Sequence, residues 1–124
     1  MKNVLVVDDE RILTDVLVRF LKKLDCNPTV TETGGQALEA YKSESYDLVL
    51  MDVNLADCDG FDVAKVMMSQ KPDQKIIVIS GQDGETIKRR TRLEDMQRAT
   101  VLSKPFSFSE FRVAVMDYLD PFAQ

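Results

Sequence analysis

The chain is predicted to fold as an α/β domain built on a doubly wound, five-stranded parallel sheet in the order 2-1-3-4-5. Three observations predict this. Strand-like and helix-like segments alternate five times along the 124 residues, as a parallel sheet with crossover helices requires. Apolar runs rich in β-branched residues at 4–7, 48–51 and 76–79 have the unbroken character of strands buried on both faces. Two further segments, Thr29-Val30-Thr31 and Thr100-Val101-Leu102-Ser103, are mixed and suit the margins. Pro28, which has no N–H for a ladder, fits an edge strand. Strands 1, 3 and 4 are thus central and 2 and 5 outer, which one of the two common doubly wound orders satisfies.

The helices follow in turn. Ile12, Leu13, Val16, Leu17, Phe20, Leu21 and Leu24 repeat at three and four and predict a first helix with a wide apolar stripe. Ala37, Leu38 and Tyr41 mark a short second helix entered through Thr33 and Gly34, and Phe61, Ala64, Met67 and Met68 a third. Residues 85–97 carry a weaker fourth pattern on Ile87, Leu93 and Met96. The last helix opens on Ser107 and Glu110, a capping-box pair, and is expected to bury Phe108, Phe111, Val115 and Leu119. Elements fill the chain from end to end without repeats or a linker, so residues 1–124 are expected to form one domain.

Composition narrows the function. With 44% hydrophobic and 30% charged residues, the chain can build a core without metal or disulfide staples. No apolar run approaches a membrane span, and the N-terminus enters a strand at once, leaving no room for a signal peptide. A cytoplasmic location is expected. The formal charge of −5 argues against direct nucleic-acid binding, which needs a basic footprint. Cys26 and Cys58 show no metal or redox spacing, and read as inert thiols. There is no His, which excludes a histidine base, zinc ligand or phosphohistidine on this chain.

The polar residues fall at the strand ends. Asp8 and Asp9 follow the first strand, Asp52 the third, Ser80 the fourth and Lys104 the fifth. In an open parallel sheet these ends share one edge, where ligands bind. Crowded carboxylates repel unless a cation compensates them or one takes up a proton. Without nearby His or paired Cys the fitting cation is hard and oxygen-loving, hence Mg²⁺. A carboxylate is also a nucleophile toward phosphorus, and Lys104 would offset charge on a transferring phosphoryl group. Each residue alone has a plainer reading. The acids at 8–10 would cap the following helix, Asp52 would open a turn with Asn54, Ser80-Gly81 would be a turn, and Lys104 would lie along the surface beside Pro105. Those readings leave unexplained why all four groups fall on one edge.

The motifs Val4-Leu5-Val6-Val7-Asp8-Asp9-Glu10, Asp47-Leu48-Val49-Leu50-Met51-Asp52, Asp59-Gly60, Ile77-Val78-Ile79-Ser80-Gly81 and Leu102-Ser103-Lys104-Pro105-Phe106 resemble the receiver domain of two-component response regulators, a flavodoxin-like fold. The likeness spans nearly the whole chain. It implies that Asp52 is the phosphoacceptor, that Asp8, Asp9, Asp52 and the Asn54 backbone carbonyl hold Mg²⁺, and that Ser80 and Lys104 contact the phosphoryl group. It implies a cis Lys104–Pro105 bond that aims the lysine into the site. It further implies a histidine donor on a sensor kinase or phosphotransfer protein. Phosphorylation would bias the face of the fourth helix, fifth strand and last helix toward binding a target or output domain.

Some features depart from that pattern. Ala56 stands where the family usually has Pro, which would loosen the loop, and Val101 where an aromatic switch residue often sits. Residues 81–103 are slightly longer than usual. Lys88, Arg89, Arg90 and Arg92 read as a solvated face or as a docking surface for an acidic partner or a dimer mate. The rival functions are a docking module that is never phosphorylated and a haloacid-dehalogenase-type phosphohydrolase. The latter would need an Asp two positions after Asp8, where Glu10 stands.

Overall fold

A computed structural model describes residues 1–81 and 99–119. Five strands form one sheet: β1 (Lys2–Val7), β2 (Cys26–Thr31), β3 (Leu48–Asp52), β4 (Ile76–Ser80) and β5 (Ala99–Ser103), in the order β2-β1-β3-β4-β5. Every neighbouring pair is parallel, so the predicted architecture holds. Among the described residues the helices are α1 (Arg11–Lys23), α2 (Gly34–Ser43), α3 (Gly60–Gln70) and the C-terminal helix (Phe108–Leu119). None is long and apolar enough to cross a membrane.

Alternation along the strands divides the core in two. Leu5, Val7, Val49, Met51 and Val78 face α2 and α3, where Ala37, Phe61, Ala64 and Met67 cover them. Val4, Val6, Leu48, Leu50, Ile77 and Ile79 face α1 and the C-terminal helix through Leu17, Leu21, Phe111 and Val115. Residues of β1, β3 and β4 thus contribute to both layers, which is why these strands read as continuous apolar runs. The last helix is capped as expected: Ser107 Oγ accepts from Glu110 N at 3.1 Å, and Glu110 Oε1 accepts from Ser107 N at 3.2 Å. Thr33 caps α2, accepting from Gln36 N at 3.1 Å.

Three local expectations are corrected. Ile12 is 84% exposed, not part of the α1 stripe. The buried line there runs Thr14, Leu17, Leu21, and a residue two positions before Thr14 points away from it. Phe108 is only partly buried, its ring packed edge-on against Phe20 with centroids 4.9 Å apart. Strand β2 begins at Cys26 rather than near Thr29, so Pro28 lies within the edge strand, opposite Val4. The fourth predicted helix and the basic cluster of Lys88, Arg89, Arg90 and Arg92 lie outside the described residues.

Candidate functional site

The parallel sheet delivers the C-terminal ends of β1, β3, β4 and β5 to one edge. Chain direction alone brings Asp8, Asp9 and Asp52 together, one carboxylate oxygen of each lying within 4.8 Å of the others. The buried backbone of Asp8 is tied to β2, its N–H donating to Thr31 O at 3.1 Å. Its Oδ1 accepts from Glu10 N at 2.8 Å. Asp52 ends β3, 4% exposed, with its Oδ1 accepting from Asn54 N at 3.3 Å. Asp9 and Asn54 are exposed at the rim.

The other two groups arrive together. Ser80, 1% exposed, ends β4, and its carbonyl accepts from Lys104 N at 2.8 Å. The Lys104 ammonium lies 3.9 Å from Asp52 Oδ1 and 3.6 Å from Glu10 Oε1. The Lys104–Pro105 bond is cis. All the residues singled out from the sequence thus fall on one edge of the sheet.

The electrostatics are those of a crowded acidic cleft. Burial raises Asp8 from 3.8 to about 6, opposed by the Glu10 N–H and Lys104 and reinforced by Asp52 and Glu10. Burial likewise raises Asp52; Lys104 and the Asn54 N–H pull it back, while Asp9 and Glu10 push it up. Among the described residues Asp8 Oδ2 is buried with no hydrogen-bond partner. An orphaned carboxylate oxygen costs free energy. With two further carboxylates beside it, the donor set fits a hard divalent cation with oxygen ligands.

The plainer readings fare unevenly. Glu10 occupies the N-cap of α1, yet its side chain makes no cap bond, and the first turn of α1 has no acidic residue. Glu10 therefore does not cap α1 with its side chain, while Asp8 takes the Glu10 N–H just ahead of the helix and keeps its second oxygen for the cleft. Asp52 does make the turn bond to Asn54, alongside its place in the cluster.

Three features escaped the sequence reading. Glu10 pairs with Lys104 across the cleft. Asp57 reaches out of the β3–α3 loop to α2, its Oδ1 accepting from Gly34 N at 3.0 Å and its Oδ2 from Gly35 N at 3.2 Å. Those bonds hold the Asp57 carboxyl below the usual carboxylate range. Gly60 lies so close to the phosphoacceptor candidate that a Cβ there would stand 2.0 Å from the Asp52 carbonyl oxygen. A signal for the Asp57 bond was present in Gly34-Gly35, an N-terminal turn without an acid of its own.

This site on this sheet defines a class of signalling domain, and comparison assigns the chain to it. Residues 4–116 match the family model described as the response regulator receiver domain; the chain belongs to that family. It is 30% identical over 118 residues to the aerobic respiration control sensor protein ArcB of Escherichia coli, covering 95% of this chain and 15% of ArcB. It is 30% identical over 106 residues to the response regulator receiver protein CpdR of Brucella abortus, covering 86% of this chain and 87% of CpdR. The chain spans only 10–15% of the length of the sensor proteins among its curated relatives. Among solved structures it resembles the response regulator TrrA of Thermotoga maritima in complex with Mg²⁺-BeF. That match has a TM-score of 0.84 at 30% identity and covers 96% of this chain and all of TrrA's.

Proposed function

We propose that the chain is a phosphorylation switch in which Asp52 accepts a phosphoryl group, while Asp8, Asp9, Asp52 and the Asn54 carbonyl hold Mg²⁺. The observation that carries this reading is the buried Asp8–Asp52 pair, with an unpartnered Asp8 oxygen on one side and the Lys104 ammonium 3.9 Å from Asp52 on the other. The cleft is too negative to receive a phosphate unaided, and its donors suit a hard cation. The Mg²⁺-BeF complex of the similar TrrA supports the same choice. When bound, Mg²⁺ would offset charge on the carboxylates and on the incoming phosphoryl group.

The chain's own residues then have distinct tasks. An Asp52 oxygen attacks phosphorus, the bond from phosphorus to the donor's nitrogen or oxygen breaks, and the donor departs with that electron pair. Lys104 meets the charge that develops on the phosphoryl oxygens. Ser80, whose carbonyl already holds the Lys104 amide, donates its hydroxyl to a phosphoryl oxygen and so carries the state of the site to β5. The chemistry is confined to the chain's own phosphorylation and dephosphorylation.

The donor in this reading is a histidine on a sensor kinase or phosphotransfer protein, in the cytoplasm. Likeness to the autoinducer 1 sensor kinase/phosphatase LuxN supports it, as does the absence of any His in the chain. The output surface is the β5 and C-terminal helix face. An open groove of about 750 Å³ runs there, bordered by Val101, Leu102, Val113, Ala114 and Tyr118, and would take a target, an output domain or a second copy of the chain. Residues 1–124 act as one receiver unit.

The test is intact-protein mass spectrometry after incubation with acetyl phosphate, with and without Mg²⁺. One Mg²⁺-dependent phosphoryl adduct is expected on the wild type and none on Asp52→Ala. Ser80→Ala should label nearly as the wild type does but lose the accompanying amide shifts in β5. Labelling that persists unchanged in Asp52→Ala would overturn the assignment.

A further inference from the structure

The loop between β3 and α3 begins one residue after Asp52 and carries the Asn54 carbonyl, so its path sets the geometry on one side of the acidic cleft. Its base is closed internally. Asn54 bridges to Asp59, Gly60 N donates to Val53 O at 2.8 Å, and Asp59 Oδ1 accepts from Phe61 N at 2.8 Å. Its outer turn is held by another element altogether. Both Asp57 carboxylate oxygens are engaged, by the Gly34 and Gly35 amides at 3.0 and 3.2 Å. These are the first two residues of α2, whose first turn contains no acid. Two N–H groups without intrahelical acceptors, at the positive end of a helix, therefore meet a carboxylate supplied from the loop.

The fit between loop and helix is close. A Cβ at position 34 would stand 2.4 Å from Cys58 Sγ and 2.8 Å from Val63 Cγ2, so glycine is what lets α2 come near enough to be held. Helix α2 follows β2, and the last residue of β2, Thr31, accepts the Asp8 N–H at 3.1 Å. Through α2 and β2, Asp57 links the loop after Asp52 to the strand end that carries Asp8.

We infer that Asp57 is a positioning residue for the acidic cleft: its carboxylate, docked on the Gly34 and Gly35 amides, holds the Asn54 carbonyl and Asp52 in register with Asp8 and Asp9. Ala56 lacks the ring by which a proline would fix φ in this loop, and the tether takes that part. The inference rests on the reading of Asp52 and its neighbours as an Mg²⁺-assisted phosphoacceptor site.

The experiment compares wild type, Asp57→Asn and Asp57→Ala by titrating Mg²⁺ and following the backbone amides of residues 8–10 and 52–54 in ¹H–¹⁵N spectra. Hydrogen exchange at Gly34 and Gly35 is measured on the same samples. Asp57→Ala should raise the Mg²⁺ dissociation constant roughly 3–10-fold, below the roughly 10–100-fold typical of a group bonded directly to a metal ligand because this carboxylate is exposed and acts through the loop. Its two glycine amides should exchange faster. Asp57→Asn, which keeps one acceptor oxygen and the side-chain volume, should recover part of the affinity. The rate of labelling by acetyl phosphate should fall at limiting Mg²⁺, with the deficit narrowing as Mg²⁺ is raised. Faster exchange at Gly34 and Gly35 with an unchanged Mg²⁺ constant would overturn the inference, leaving the tether a purely structural contact. Absence of both Mg²⁺ shifts and labelling in the wild type would instead sink the underlying reading of the site, and this inference with it.

Discussion

Replacing Asp8 with asparagine should make the metal-free protein more stable. In the folded chain the Asp8 carboxyl ionises near pH 6 rather than 3.8, and at about 1.4 kcal/mol per pH unit that gap corresponds to about 3 kcal/mol. Below pH 3.8 the carboxyl is protonated in both folded and unfolded states and costs nothing. Between 3.8 and about 6 the folded state binds more protons, so stability falls as pH rises; above about 6 the full cost is present. Asparagine removes the charge and keeps the oxygen that accepts the Glu10 N–H. It also replaces the unpartnered Oδ2 with a donor beside carboxylates. After the desolvation of the amide, the expected gain at pH 7.5 is about 1–3 kcal/mol. The assay is urea unfolding of wild type and Asp8→Asn in chelator at pH 7.5 and pH 4, repeated with Mg²⁺ at the higher pH. The gain should nearly vanish at pH 4, and Mg²⁺ should stabilise the wild type alone. Equal stability at pH 7.5, or the same gain at both pH values, would refute the reasoning.

Other perturbations have equally direct readouts. Gly60→Ala must place a methyl group against the Asp52 carbonyl oxygen, 2.0 Å away before relaxation, and should cost about 3 kcal/mol or more in urea unfolding. Lys104→Met removes the largest influence that lowers Asp52. The Asp52 carboxyl should therefore titrate at higher pH than in the wild type, as followed by ¹³C shifts of labelled aspartate. Ser107→Ala removes an acceptor for the Glu110 amide and should destabilise by about 1 kcal/mol, leaving phosphorylation by acetyl phosphate unaltered.

The sheet was legible because parallel strands covered on both faces leave unbroken apolar runs, and the strand order followed from which runs were mixed. The site was legible because each polar group sits directly after such a run, where chain direction alone decides its place. Local detail was less accessible. Ile12 looks like a member of the α1 stripe until Thr14, a polar residue that bonds the Arg11 carbonyl, is found buried in its stead. Cys26, Asn27 and Pro28 carry no strand signature, and pairing with Lys2, Asn3 and Val4 decides their conformation. The Glu10–Lys104 contact depends on the directions of two long side chains. The Asp57 tether joins a carboxylate to backbone amides 22 and 23 residues away, and such bonds leave no period in a sequence.

The separation between apolar strand bodies and acidic strand ends bears on how such a domain changes over generations. The groups that hold the two layers together, such as Leu50, Met51, Ile77 and Val78, are not the groups at the edge. Substitution can therefore silence the edge while the scaffold stays intact, and at Asp8 neutralisation is expected to stabilise the metal-free scaffold further. A variant of this fold can thus be sturdy and unresponsive at once. The acids at the edge are accounted for by what they can bind, not by what they hold together.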